Sequence, residues 1–78
     1  MKLAIYETRN FTFMACGSSK EEVGALLIKA LKKHGRQKDL EKDWFKFNGE
    51  SDAEFLDSNV TVIDTFPGRV YRDSSILI

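Results

Sequence analysis

Three residue types that often anchor chemistry or covalent structure occur only once in this chain of 78: cysteine (Cys16), histidine (His34) and proline (Pro67). A lone cysteine excludes an intramolecular disulfide, the usual support of a small secreted domain. One His and one Cys cannot form a zinc site without several carboxylates. Nowhere do apolar residues run for the ~20 positions that span a bilayer, and Met1-Lys2-Leu3-Ala4-Ile5-Tyr6-Glu7 is too short and too soon charged for a signal peptide. Twelve basic and twelve acidic residues cancel, so the strongly basic profile of typical nucleic-acid binders is absent. Together these absences predict a soluble, cytoplasmic protein that does not enter membranes, folded as one domain over residues 1–78. That length is near the lower limit for folding without disulfide, metal or partner.

What the chain does have is patterning. Residues 2–8 and 11–16 read as two strands, joined at Arg9-Asn10, where Asn tolerates the positive φ of a tight hairpin. Gly17-Ser18-Ser19-Lys20-Glu21-Glu22 offers a capping box, either Ser18 with Glu21 or Ser19 with Glu22. Val23, Leu26, Leu27, Ala30, Leu31 and His34 then recur at steps of three and four, which predicts a helix over about 19–34 with that stripe facing the core. Gly35 is suited to end it. Residues 39–47 fit either a short helix, bringing Leu40 and Trp44 together, or a strand through Phe45 and Phe47. Asn48-Gly49 signals a turn, and residues 52–57 one helical turn. Residues 60–66 form a β-rich run, Pro67-Gly68 a turn, and residues 69–73 its partner strand. The apolar end Ile76-Leu77-Ile78 is expected to dock on the protein or on a second copy. The fold class predicted is α+β: an antiparallel sheet of about four strands in ββα-ββ order with one main helix on a face.

No constellation points to catalysis. A thiol at a helix N-terminus can be activated, but His34, the only available imidazole base, lies at the other end of the predicted helix. At the α-helical rise this is on the order of 24 Å from Ser18. Glu21 and Glu22 also oppose thiolate formation. Cys16 is therefore expected to be a small buried hydrophobe at a strand end, and His34 a packed, hydrogen-bonded residue of the helix face. Gly17-Ser18-Ser19-Lys20 lacks the pattern of a phosphate-binding loop, and Asp52, Glu54 and Asp57 lack the ligand order of a calcium loop. Neither enzyme activity nor a cofactor is expected.

Charge is unevenly placed. Residues 1–38 carry eight Lys/Arg against three Glu, and residues 39–78 four against nine acids, so the halves are +5 and −5. Two surfaces follow. Lys29, Lys32, Lys33 and Arg36 share a helix face on which phosphates could sit. Asp39, Glu41, Asp43, Glu50, Asp52, Glu54 and Asp57, interleaved with Trp44 and other aromatics, form an acidic segment. An aromatic left exposed there would act as an interface anchor inside a charged rim.

In size, charge pattern and lack of a catalytic signature, the chain resembles the small phage or mobile-element proteins that inhibit host enzymes, anti-CRISPR proteins among them. The resemblance is one of profile and assigns no residue. It implies a non-enzymatic binding protein whose acidic segment occupies a basic surface on a host or cellular protein. The alternatives are nucleic-acid binding by the basic helix face, and a self-associating structural protein such as a homodimer.

Overall fold

The computed structural model describes residues 1–47, 49–66, 71–72 and 75–76. The protein has an α+β fold, with a three-stranded antiparallel sheet and two helices. Strands β1 (Lys2–Glu7) and β2 (Thr12–Gly17) form the expected hairpin, and α1 (Lys20–Gln37), α2 (Asp52–Asn59) and β3 (Thr61–Asp64) follow. The sheet order β2-β1-β3 makes the first strand central, pairing Ala4 with Ala15 on one side and Val62 on the other. Those three residues, with Tyr6 and Phe13, point to the helix side and join the core.

Two further short strands, β4 (Tyr71–Arg72) and β5 (Ser75–Ile76), pair with each other. The expected return strand over 69–73 thus differs from what is found: among the described residues β3 pairs with β1, and Tyr71–Arg72 pair with Ser75–Ile76. A β-rich run announces a strand but not its partner, which is set by long-range contacts. Ile76 is in a strand, while the Pro67-Gly68 turn, Leu77 and Ile78 fall outside the described residues.

Helix α1 is longer than its periodicity suggests, and its buried face is rotated. Ser19 is the N-cap, accepting from the Glu22 backbone N–H at 3.1 Å. The Glu22 carboxylate turns instead to Ser18, accepting from its N–H at 3.1 Å and its hydroxyl at 2.6 Å. These bonds hold the Glu22 carboxyl below its ordinary range. The reciprocal capping box occurs at α2, where Ser51 and Glu54 satisfy each other's backbone N–H groups.

The buried residues of α1 are Val23, Gly24, Leu27, Ile28, Leu31 and Gly35, whereas Leu26 is 44 % exposed and Ala30 is exposed. The expected stripe through Leu26 and Ala30 is corrected because α1 has two neighbours. Val23 and Leu27 belong to the core under the sheet, while Gly24 and Gly35 meet Leu56 of α2 and Trp44. A β-carbon on Gly35 would lie 2.6 Å from Trp44 Cδ1, so this glycine is a packing residue inside the helix and not its terminator.

The terminator is Asp39. It takes φ +57, and the N–H groups of Asp39 and Leu40 return to the carbonyls of Arg36 and Gly35 at 3.4 and 2.8 Å. This is the Schellman pattern, with aspartate at the left-handed position that glycine usually fills.

Cys16 is also corrected: it is exposed. Strand alternation sends Phe13 and Ala15 toward α1 and sends Met14 and Cys16 to the other side of an edge strand. On that other side the central residues Leu3 and Ile5 are 5 % and 2 % exposed, so burial there reaches β1 without reaching Cys16. His34 is packed as expected, but among rings. Its centroid lies 5.1 to 5.5 Å from those of Phe11, Phe13 and Trp44, and among the described residues its side chain makes no hydrogen bond. Cys16 and His34 therefore also stand on opposite sides of the sheet.

Candidate functional site

The segment between the helices is neither the helix nor the strand its sequence could suggest. It is a series of turns. Trp44 N–H donates to Glu41 O at 3.1 Å, Lys46 N–H to Asp43 O at 2.9 Å, and Glu50 N–H to Phe47 O at 3.1 Å. Gly49, at φ +71, supplies the positive φ that the last turn needs. The sequence signals a turn at Asn48-Gly49; Gly49 lies in one, and Asn48 falls outside the described residues.

These turns sort the aromatics. Phe45 is 7 % exposed and packs edge-on to Phe55 with ring centroids 4.9 Å apart. Trp44 is half-buried and donates its indole Nε1–H to the Leu31 carbonyl at 2.9 Å. Its ring lies against α1 at Gly35. Phe47 is the aromatic left outside, at 80 % exposure.

Phe47 is also held in place. Its backbone N–H donates to the Glu50 carboxylate at 3.3 Å, and its carbonyl accepts from the Glu50 N–H. It shares a shallow depression of about 390 Å³ with Glu41, Lys42, Asp43, Lys46, Gly49 and Glu50. The Lys46 ammonium is turned inward, to Asp52 at 2.6 Å and Asp43 at 3.7 Å. It ties this loop to the first turn of α2, and Asp52 in particular raises its pKa. Lys46 in turn holds the Asp52 carboxyl below its ordinary range, by hydrogen bonding first and by charge second.

Of the acidic residues singled out in the sequence, Glu41, Asp43 and Glu50 come together around Phe47. The others do not join them. Asp39 is the helix terminator, Asp52 faces Lys46 and a cleft beside α1, Glu54 closes the capping box, and Asp57 lines a separate hollow with Lys2 and Lys20. Phe47 is the site residue that reasoning from sequence passed over. The Asn48-Gly49 signal marks a break in regular structure after Phe47, but it does not say that this ring, and not Trp44, stays outside.

On the basic side, Lys29, Lys32 and Arg36 line one cleft, and Lys33 does not. Among the described residues none of these four is in an ion pair, and no helix is long and apolar enough to cross a membrane.

Fold and surface together define a small α+β protein that carries an exposed phenylalanine beside three carboxylates and two lysines. No protein-family model matches the chain, and comparison with curated proteins and with solved structures gives no significant match.

Proposed function

We propose that this is a non-enzymatic binding protein that docks Phe47 and its acidic rim onto a basic surface of a partner protein. The observation that carries the reading is Phe47 at 80 % exposure, pinned by a closed turn beside Glu41, Asp43 and Glu50. A large ring in water is unfavourable unless something covers it. A residue whose backbone is already held loses less conformational freedom on docking. Around it, the carboxylates would steer a cationic partner and reject anionic ones. The phage or mobile-element inhibitors that the sequence resembles in profile would act in this way, by occupying a basic surface on a host protein.

The test is a partner captured by the intact chain and then measured in isolation. Phe47→Ala should weaken that complex by about 2 kcal/mol or more, the scale of an interface hot spot. Charge reversal at Glu41 and Asp43 should mainly slow association, and added salt should do the same. Reversing Lys29, Lys32, Lys33 and Arg36 should leave the affinity nearly unchanged. If the basic-face variant alone abolishes binding, the acidic reading is wrong and the basic face is the docking surface.

A further inference from the structure

Helices α1 and α2 touch where Gly24 meets Leu56, since a β-carbon added at Gly24 would lie 2.9 Å from Leu56 Cδ1. Along this contact runs an open cleft of about 540 Å³, within the ~300–1,000 Å³ range of small-molecule sites. Its lining is polarised. Gly24, Ala25, Ile28, Ala53 and Leu56 form an apolar stretch at the contact, while Lys29, Lys32 and Arg36 succeed one another toward the C-terminal half of α1. Two acids also line it. Asp52 is already bonded to Lys46 at 2.6 Å, and Glu21 lies toward the N-terminal end of α1. Asp52 also feels the charge of Lys32, and Glu41 shares an adjoining hollow with Lys32 and Arg36, but among the described residues no acid is ion-paired with Lys29, Lys32 or Arg36.

We propose that this cleft binds a small single-chain amphiphilic anion, with its apolar tail over Ile28 and Leu56 and its carboxylate or phosphate head against Lys32 and Arg36. The polarity selects this class. Nucleic acid fits less well, because the floor is aliphatic, no aromatic among the described residues lines it for bases to stack on, and Lys33 does not line it. An inorganic anion would use the cations and leave the apolar stretch uncovered. A neutral or cationic chain would use the apolar stretch and make no ion pair with Lys32 or Arg36.

The test is a titration of the isotope-labelled full-length chain, followed by backbone amide shifts. The probes are decanoate below its micelle concentration, decyltrimethylammonium, inorganic phosphate, an acidic amphipathic peptide and a single-stranded oligonucleotide. Decanoate should shift the amides of Ala25, Ile28, Lys32, Arg36, Ala53 and Leu56 and leave those around Phe47 in place. It should bind roughly tenfold or more tighter than the other four, a difference of about 1.4 kcal/mol. Lys32→Gln with Arg36→Gln should weaken decanoate about tenfold while the thermal midpoint holds. Ala53→Trp, which fills the apolar stretch at an exposed position, should weaken it independently. Equal binding of decyltrimethylammonium or phosphate, tighter binding of the peptide or oligonucleotide at these residues, or shifts scattered over the whole chain would each overturn the assignment.

Discussion

Helix α1 and the segment 39–50 that follows it use the same kinds of residue in opposite ways. The helix hides its apolar residues by periodicity, and every buried position has another three or four residues away. The segment has no period to work with. Three turns send Phe45 inward, wedge Trp44 against a glycine and leave Phe47 in water. In the helix, repeating geometry decides where a side chain goes. In the segment, individual hydrogen bonds decide it, and an aromatic can remain outside without disturbing the core.

The widest separation lies within the segment itself. Phe45→Ala should cost about 3–5 kcal/mol, the usual effect of truncating a buried aromatic, and Phe47→Ala should change stability by less than about 0.5 kcal/mol. Urea denaturation of both variants checks this, and comparable losses would show that Phe47 is packed. In α1, Leu27→Ala should cost about 2–5 kcal/mol, because Leu27 is 1 % exposed. Leu26→Ala should cost much less, and a reversal of that order would restore the stripe suggested by the sequence.

A smaller effect tests the junction of the two regions. Gly35→Ala should destabilise by about 1–3 kcal/mol despite alanine's better helix propensity. The new methyl would meet the Trp44 indole, which its bond to Leu31 holds in place. Gly24→Ala meets the flexible tip of Leu56 and should be milder. Near-equal thermal midpoints for the two variants would mean that Trp44 moves aside freely.

Asp39→Gly should act in the opposite direction, raising stability by about 0.5–1 kcal/mol. It removes the side chain from a left-handed residue at φ +57. A loss of stability would show that the Asp39 side chain matters to the cap more than its backbone does.

The smallest effect expected is on the acid side. Glu22, Asp52, Glu54 and Asp64 all have carboxyls held below their ordinary values, by Ser18, Lys46, Ser51 and Lys2 respectively. A carboxyl whose folded pKa is depressed stabilises the fold above its unfolded value, roughly pH 4. That stability is lost as pH falls through the folded value. The thermal midpoint should therefore decline below about pH 4. The decline should be shallow in high salt because these groups are exposed. Glu54→Gln should flatten the curve slightly while keeping the cap; an unchanged curve would mean that Glu54 titrates alike in the folded and unfolded chain.

Much of the fold could be read locally. The β1–β2 hairpin follows from alternation around Arg9-Asn10, the start of α1 from Ser19 and Glu22, and the last turn of the segment from Gly49. Ser51 and Glu54 also spell a capping box, although α2 extends to Asn59, beyond the single turn its composition suggests. The candidate site was legible only in outline. That an exposed aromatic among acids would be an anchor follows from chemistry, but Trp44 and Phe47 cannot be told apart by composition, since each is an aromatic flanked by charge.

Sequence by itself determined the α+β class, the main helix, the hairpin and the opposed charges of the two halves. These depend on contacts between near neighbours, where periodicity and capping act directly. Tertiary structure alone decided that β1 is central, that α1 buries Ile28 and Gly35 in place of Leu26 and Ala30, that Cys16 is exposed, and that Phe47 is the aromatic of segment 39–50 left in water. Each of these outcomes depends on what lies opposite: a second strand, Trp44, Leu56 or nothing. Local patterning tells a residue which way to turn, but only the packed chain supplies the surface it meets.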